Sequence, residues 1–466
     1  MSSSFLSELM RILLCAFVLS VRSSFEKKVL VHGAQITFAV SSLSPSVNCT
    51  ASTNNVNSTL KLVHKYGPCS QLFDGGPINH TQVLLEDMAR VKWIQSKIFN
   101  SISGTSDLKE SNVSLPASNS TNGGGYVVTI GLGTPTKDLT LLFDTGSALT
   151  WTQCEPCISC YSQAEPIFDP SNSSSYANIS CFAPSCIGLA SGTGELPGCS
   201  GSRCIYGTGY GDGSSTVGLF ATETLTLSPT DVITNFEFGC GQNNGGLFDG
   251  YAGLLGLARD PISIIEQTAT KYGRYFSYCL PPSTSAPGYL TFGRDKVTSP
   301  SLSFTPMVTV AQNPLFYGIK IIGISVDGKP LSIPSTVFSN ASTIIDSGTT
   351  VTQLPPTAYT ALRSAFREAM ANYTSAPPFE PLDTCYDFSG VSTFTGPVIT
   401  FTFDGPINID LDLSGMFYVV DVSQVCLAFV AGADDFAIYG NTQQRTFEVV
   451  YDVAGGQIGF GAKACL

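Results

Sequence analysis

Leu141-Leu142-Phe143-Asp144-Thr145-Gly146-Ser147 carries a carboxylate out of an apolar run straight into a turn of small, hydroxyl-bearing residues. Large apolar residues of this kind suit a buried strand, and Asp, Thr, Gly and Ser suit the turn that ends it. The pattern returns at Thr343-Ile344-Ile345-Asp346-Ser347-Gly348-Thr349. Two rigidly held carboxylates, one in each half of the chain, predict one site shared between two lobes.

Length and composition agree with that division. The chain has 466 residues and a mass of 49.2 kDa, more than one hydrophobic core supports. It is 43% hydrophobic and 12% charged, with 45 Gly and 27 Pro, which describes a sheet-rich, turn-rich protein. The fold class expected is all-β with few short helices, the active site lying in the cleft between the lobes. Helical spacing is confined to three places. These are Leu84, Met88, Val91 and Ile98 before the body, Pro261–Gln267, and Pro356 to Tyr373, where Tyr359, Leu362, Phe366, Met370 and Tyr373 share a face.

Ahead of the strand-rich body lies a leader of different character. Ile12 to Val21 is an apolar run of signal-peptide length, so 1–24 is expected to be cleaved during secretion. Residues 25–122 are rich in Ser, Asn and Thr and, apart from the helical stretch, resemble a tether. Ser118 to Gly125 forms a Gly-rich linker, which puts the leader boundary at Gly123. The body then divides into lobes 123–298 and 299–466. No later run is long enough to span a bilayer, and the C-terminus lacks a lipid-anchor tail. Fifteen cysteines and nine Asn-x-Ser/Thr sequons, among them Asn172, Asn178, Asn340 and Asn372 in the body, fit a secreted glycoprotein.

Charge changes sign at the same boundary. Residues 1–125 carry ten Lys+Arg against seven Asp+Glu, and residues 126–466 carry thirteen against twenty-eight. A basic leader over an acidic body predicts an intramolecular inhibitor that covers the cleft until low pH protonates the carboxylates; the alternative is a solvated leader without inhibitory function, since surface charge pairs are weak. The same balance, without basic patches, argues against nucleic acid as a partner.

His32, His64 and His80 all lie in the leader, so the body has no histidine. That removes Ser-His-Asp and Cys-His nucleophiles and imidazole metal sites. Catalysis would rest on Asp144 and Asp346. Two carboxylates a few ångströms apart cannot both ionise, so they share one proton. The ionised one activates a water and the protonated one polarises a carbonyl. Thr145, Gly146, Ser147, Ser347, Gly348 and Thr349 would hold the pair in place. The Gly-rich runs at 131–133 and 207–213 lie in no strand–loop–helix unit and read as turns. No metal or cofactor is expected.

Around the two signature turns stand further matching residues. Trp151 follows Asp144 closely, Gly253-Leu-Leu-Gly-Leu257 and Ala437-Ile-Tyr-Gly440 repeat a hydrophobic-Gly element in each half, and Tyr210-Gly211-Asp212 has the spelling of a hairpin tip. This set resembles the pepsin-like aspartic proteases. Trp151-Thr-Gln-Cys154 with Cys157 and Cys160, Pro166-Ile-Phe-Asp-Pro170, Phe238-Gly-Cys-Gly241, Val449-Val-Tyr-Asp452 and the leader's His64-Lys-Tyr-Gly-Pro-Cys69 are similar to the plant nepenthesin-type branch.

The resemblance implies an acid-active endopeptidase made as a zymogen, a monomer acting on extended polypeptides in the extracellular space or vacuole. Tyr210 is taken as the flap tyrosine in preference to Tyr206, because Ser-Ser-Thr-Val-Gly218 follows it at the spacing of a returning strand. Disulfides implied are Cys154–Cys157, Cys160–Cys240, Cys181–Cys204, Cys186–Cys199, Cys279–Cys465 and Cys385–Cys426, with Cys181 to Cys204 forming a stapled insertion near the flap. Ala148 departs from the branch, which usually has Asp there. The fold also hosts silent relatives, glycosidase inhibitors and seed globulins, so a non-catalytic binding protein is the alternative.

Overall fold

The structure, a computed structural model, describes residues 35–466 except 45, 51–59, 104–124, 247, 249, 297–298, 301, 312, 341, 463 and 466. The signal segment 1–24, the linker at 118–124 and the sequons at Asn57, Asn112 and Asn119 lie outside the described residues.

Strands dominate, arranged as two lobes around a shared sheet. In order across that sheet run Leu302–Pro306, Gln457–Gly461, Glu448–Asp452, Tyr275–Cys279, Gly288–Phe292, Leu60–His64, Tyr126–Leu132 and Lys137–Asp144. From there it continues through Gly253–Gly256 and Trp151–Gln153 into the long hairpins of the first lobe. The second lobe is built on the sheet Val308–Thr309, Tyr317–Ile319, Ser342–Ile345, Phe436–Tyr439, Thr352–Leu354 and Phe429–Ala431. Strands from both halves thus lie side by side in the shared sheet, Tyr275–Cys279 pairing with Glu448–Asp452.

Lys137–Asp144 loses its polar–apolar alternation because both of its faces are covered. Leu139, Leu141 and Phe143 fill the main core, while Leu142 packs against a second cluster around Trp151. Each such side chain contributes roughly 1.5–3 kcal/mol by leaving water. Helices are few. Pro356–Ala369 buries Tyr359, Leu362 and Phe366 and stops at Met370, while the stretch after Pro261 makes two short turns, Ile264–Gln267 and Ala269–Tyr272.

The leader is not a tether. Ile36–Ala39 pairs with Thr393–Gly396 of the second lobe, and the Phe38 ring packs at a tilt against Phe394, centres 4.8 Å apart. Cys49 is bonded to Cys69. Leu60–His64 enters the shared sheet between Gly288–Phe292 and Tyr126–Leu132, with Leu62 fully buried. The Ser/Asn/Thr-rich composition hid this because few apolar residues suffice for a strand whose neighbours supply the rest of the core. The helix His80–Ser103, 24 residues, is the longest described.

Candidate active site

Each carboxylate is set by the same local arrangement. Gly253–Gly256 runs parallel to Lys137–Asp144 with Gly256 beside Asp144, and the Asp144 carbonyl accepts from Leu257 N at 3.0 Å. In the second lobe Phe436–Tyr439 runs parallel to Ser342–Ile345, and Asp346 N donates to the Tyr439 carbonyl at 3.1 Å. Both strand ends are anchored from beneath, so Asp144 and Asp346 are presented at 1% exposure each.

The two turns hold one another. Thr145 N donates to Ser347 Oγ at 3.0 Å, and Ser347 N donates to Thr145 Oγ1 at 2.9 Å. Thr145 and Ser347 therefore support the pair by tying lobe to lobe rather than by touching the carboxylates. Gly146 N donates to Asp144 Oδ1 at 2.9 Å, and Thr349 Oγ1 donates to Asp346 Oδ2 at 2.6 Å. Ser147, the counterpart of Thr349, does not share its role: its Oγ is buried with no hydrogen-bond partner.

Between the carboxylates lies Arg90 of the leader helix. Its Nη2 donates to Asp144 Oδ1 at 2.6 Å and to Asp346 Oδ1 at 2.8 Å, and its Nε donates to Asp346 Oδ2 at 2.8 Å. A planar guanidinium fork suits two carboxylates better than a lysine would. Gly146 and Gly348 make room for it: a Cβ on Gly348 would stand 2.3 Å from Arg90 Cζ, and one on Gly146 2.6 Å from Nη2. Burial alone would raise the Asp346 pKa, but the Arg90 charge and hydrogen bonds, with those of Thr349 and Gly348, hold it below the ordinary range. Burial opposes the Arg90 charge, and the two aspartates overcome it and raise its pKa. One turn back, Asp87 accepts from Thr350 N and Val351 N, and burial raises its pKa to about 6.

Tyr210 sits at the tip of the hairpin formed by Arg203–Gly209 and Ser215–Ser228, where its N–H donates to the Ser214 carbonyl at 2.8 Å. Trp151 Nε1 donates to its hydroxyl at 2.7 Å. Tyr206 is fully buried, its hydroxyl bonded to Thr216. Tyr210, Gly211 and Asp212 line a cavity of about 90 Å³ together with Arg90, Gly348, Leu142, Phe248 and Leu254. Trp93 of the leader helix presses against Gly211, where a Cβ would fall 2.1 Å from the Trp93 Cβ.

Four of the implied disulfides are wrong. The structure bonds Cys154 to Cys240 and Cys157 to Cys160 where Cys154–Cys157 and Cys160–Cys240 were implied, and Cys181 to Cys199 and Cys186 to Cys204 where Cys181–Cys204 and Cys186–Cys199 were implied. Cys154 follows Trp151–Gln153, which lies beside the strand holding Cys240, with Cys240 opposite Thr152. Cys157 and Cys160 lie on the loop beyond. In the insertion, Cys199 and Cys204 are cross-strand neighbours, but Cys204 bonds to Cys186 in the helix Pro184–Ile187 and Cys199 to Cys181 in the turn ahead of it. Cys279 is bonded to Cys465 and Cys385 to Cys426. Asn172, Asn178 and Asn372 are exposed, and Asn340 ends the helix Ser335–Asn340. Among the described residues no cluster of His, Cys, Asp or Glu could hold a metal, and no helix is long and apolar enough to cross a membrane.

Arg90, Asp87 and Trp93 escaped sequence reasoning. The helix was legible from Leu84, Val91 and Ile98, but its buried face also carries Glu86 and Asp87, while Met88 is only half-buried. A face that buries charge breaks the apolar period, and a lone Arg beside buried acids on a covering helix is the signal that would have found it.

Family models described as "Xylanase inhibitor N-terminal" and "Xylanase inhibitor C-terminal" match residues 126–294 and 316–462. An aspartyl protease family protein of Arabidopsis thaliana is 48% identical over 94% of this chain and 94% of its own length. Aspartyl protease AED1 of the same plant is 47% identical over 99% of each. Aspartic proteinase nepenthesin-2 of Nepenthes gracilis is 37% identical over 73% of this chain and 78% of its own length. The fold is shared with the crystal structure of basic 7S globulin from soybean, at TM-score 0.59 and 20% identity over 73% of this chain and 94% of that one. With that similarity spanning both signature turns, the chain belongs to the pepsin-like aspartic protease family, in its plant nepenthesin-type branch.

Proposed function

We propose that the protein is an aspartic endopeptidase made as a secreted zymogen, with residues 25–122 as its intramolecular inhibitor. The observation that carries this reading is Arg90, which occupies the position between Asp144 and Asp346 where water would be activated. A guanidinium there pairs with both carboxylates and excludes the substrate carbonyl.

Once Arg90 leaves, the two aspartates share one proton. The ionised partner takes a proton from the water held between them, and the hydroxide attacks the scissile carbonyl. The protonated partner donates a hydrogen bond to the developing oxyanion, then the roles reverse as the amine leaves with a proton. Tyr210, oriented by Trp151, closes over the peptide and excludes bulk water. Substrates are extended polypeptides, the enzyme is a monomer without cofactor, and its place of action is the extracellular space or vacuole.

Incubation of the purified full chain with an unfolded polypeptide between about pH 3 and pH 6 tests the reading. Cleavage that pepstatin blocks is expected. The xylanase-inhibitor description of both family models favours a second reading, a silent protein that binds a glycosidase. Absence of cleavage together with tight binding to a glycan hydrolase would establish that alternative.

A further inference from the structure

Three tyrosines of the main core, Tyr278, Tyr317 and Tyr451, and the glutamine Gln444 are fully buried. None of them touches the reacting atoms. Phenylalanine or leucine would fill the same volume without asking for partners, since an unmet hydroxyl or amide in a core costs roughly 1–3 kcal/mol. Here the polar atoms are bonded to one another and to the two aspartate strands.

Gln444 ends the short turn Thr442–Gln444 that follows Phe436–Tyr439. Its Nε2 donates to the Tyr439 carbonyl at 2.9 Å and to the Asp346 carbonyl at 3.2 Å. The Asp346 carbonyl and the Ser347 N–H belong to one planar peptide, so holding the first aims the second. That N–H is the donor that reaches Thr145 Oγ1 across the lobes at 2.9 Å. Gln444 is held in turn. Its Oε1 accepts from the Tyr278 hydroxyl, which lies 3.1 Å from that of Tyr451. The Tyr278 ring stands edge-on to Phe143, centres 4.9 Å apart, so one side chain touches the residue before Asp144 and, through Gln444, the peptide after Asp346.

In the opposite direction, Tyr317 of the second lobe donates its hydroxyl to the Leu257 carbonyl at 2.7 Å, and Leu257 N–H is the group bonded to the Asp144 carbonyl. The Tyr317 ring packs on Tyr451 at 4.6 Å. Each aspartate strand is thus anchored by a phenol from the other lobe, and Tyr451 joins the two anchors. Burial raises the pKa of Tyr278 and of Tyr451 and keeps both phenols neutral, with the Asp346 charge among the smaller causes.

We propose that Tyr278 and Gln444 are positioning residues for the catalytic pair, fixing the Asp346–Ser347 peptide against Asp144 and with it the spacing on which the shared proton depends. This rests on the endopeptidase reading. Close carboxylates have apparent pKa values pushed apart, which opens the pH range in which one of the two is ionised. A looser peptide lets them separate, and the range narrows. The ionisable groups that face Asp346 are Asp144, Arg90 of the leader helix, Tyr278 and Tyr451. Arg90 is gone from the activated enzyme and the phenols stay neutral, so the acid profile reports the pair.

The test compares Gln444→Met, Tyr278→Phe and Gln444→Glu with the wild type, each acid-activated, by peptide hydrolysis from about pH 2 to about pH 7 with thermal midpoints alongside. Gln444→Met keeps the length and drops both donor and acceptor. Its kcat should fall at least about tenfold with KM within about twofold, and the two limbs of its kcat profile should draw together by about half a pH unit or more. Tyr278→Phe removes one oxygen and leaves the ring on Phe143. It should lower kcat at least about threefold with the same narrowing, and it decides the matter should Gln444→Met fail to fold. Gln444→Glu, neutral in acid at a buried site, keeps a donor and an acceptor and should return kcat to within about threefold of the wild type below about pH 5. Lower thermal midpoints with wild-type kcat and unchanged profiles in Gln444→Met and Tyr278→Phe would reduce the network to core packing, overturning the proposal while the protease stands. No cleavage by the wild type under any acid condition overturns both.

Discussion

Arg90 places one positive charge against two carboxylates at 2.6 and 2.8 Å, all three largely out of water. Removing the guanidinium from such a set leaves the buried carboxylates uncompensated, at a cost of about 3–5 kcal/mol. Arg90→Ala should therefore loosen the leader specifically at the dyad. The expected result is a shorter lag before proteolysis after a drop in pH, read in a continuous peptide assay. Asp144→Asn keeps an Arg90 contact to Asp346 but cannot form the shared-proton pair. Its activity should fall by more than about 10³-fold with little change in thermal midpoint, measured by peptide hydrolysis and circular dichroism. Both aspartates and Tyr210 were legible in the chain because signature turns are local, and each needs only its own strand and turn. The role of Ser147 was not, since whether its hydroxyl meets Asp144 depends on what else occupies the cleft.

At the scale of elements, strand Leu60–His64 and helix His80–Ser103 decide how the leader answers to pH. His64 is buried and held neutral, its pKa lowered from 6.5 to about 3 by burial, then by the charges of Arg445, Lys65 and His80. The rings of Tyr66 and Tyr126 cover it, and the Tyr66 N–H donates to its Nδ1 at 3.3 Å. Released, it would bind a proton near its ordinary value, so its contribution to docking is complete above pH 6.5 and declines as pH falls toward 3. The whole of that change is on the order of 5 kcal/mol. His80, also lowered by burial, acts in the same direction. Asp87 opposes them: with its pKa raised from 3.8 to about 6, it favours the docked form below pH 3.8 and weakens it as pH rises through 6. Asp346, held low by Arg90 against its burial, supports docking where it is ionised and loses that support as acid protonates it. His64→Gln should therefore move the midpoint of leader release to lower pH, followed by size-exclusion chromatography across a pH series. The absence of histidine from the body was plain in the sequence; that two of the leader's three become wedges required knowing where the strand and helix dock.

Across the whole molecule, the leader is part of the architecture. Leu62 pairs with both Val128 and Gly288, so deleting residues 35–103 would open a gap in the sheet that joins the lobes. A chain beginning at Gly125 should refold in far lower yield than the full chain, and Leu62→Ala should lower stability by about 2–5 kcal/mol in denaturant titration. The bilobal plan could be read from two repeated motifs, but sheet order could not. Strands as far apart as Leu60–His64 and Gly288–Phe292 meet only through the packing of everything between them, and disulfide partners follow that packing rather than spacing. On the endopeptidase reading, Arg90 keeps the dyad silent until acid releases the leader. The most direct measurement is the time course of polypeptide cleavage after a jump from pH 7 to about pH 3.5, for wild type, Arg90→Ala and Asp144→Asn side by side. A lag and then full activity are expected in the wild type, little lag in Arg90→Ala and no cleavage in Asp144→Asn. Equal lags in wild type and Arg90→Ala, or cleavage by Asp144→Asn at the wild-type rate, would contradict that reading.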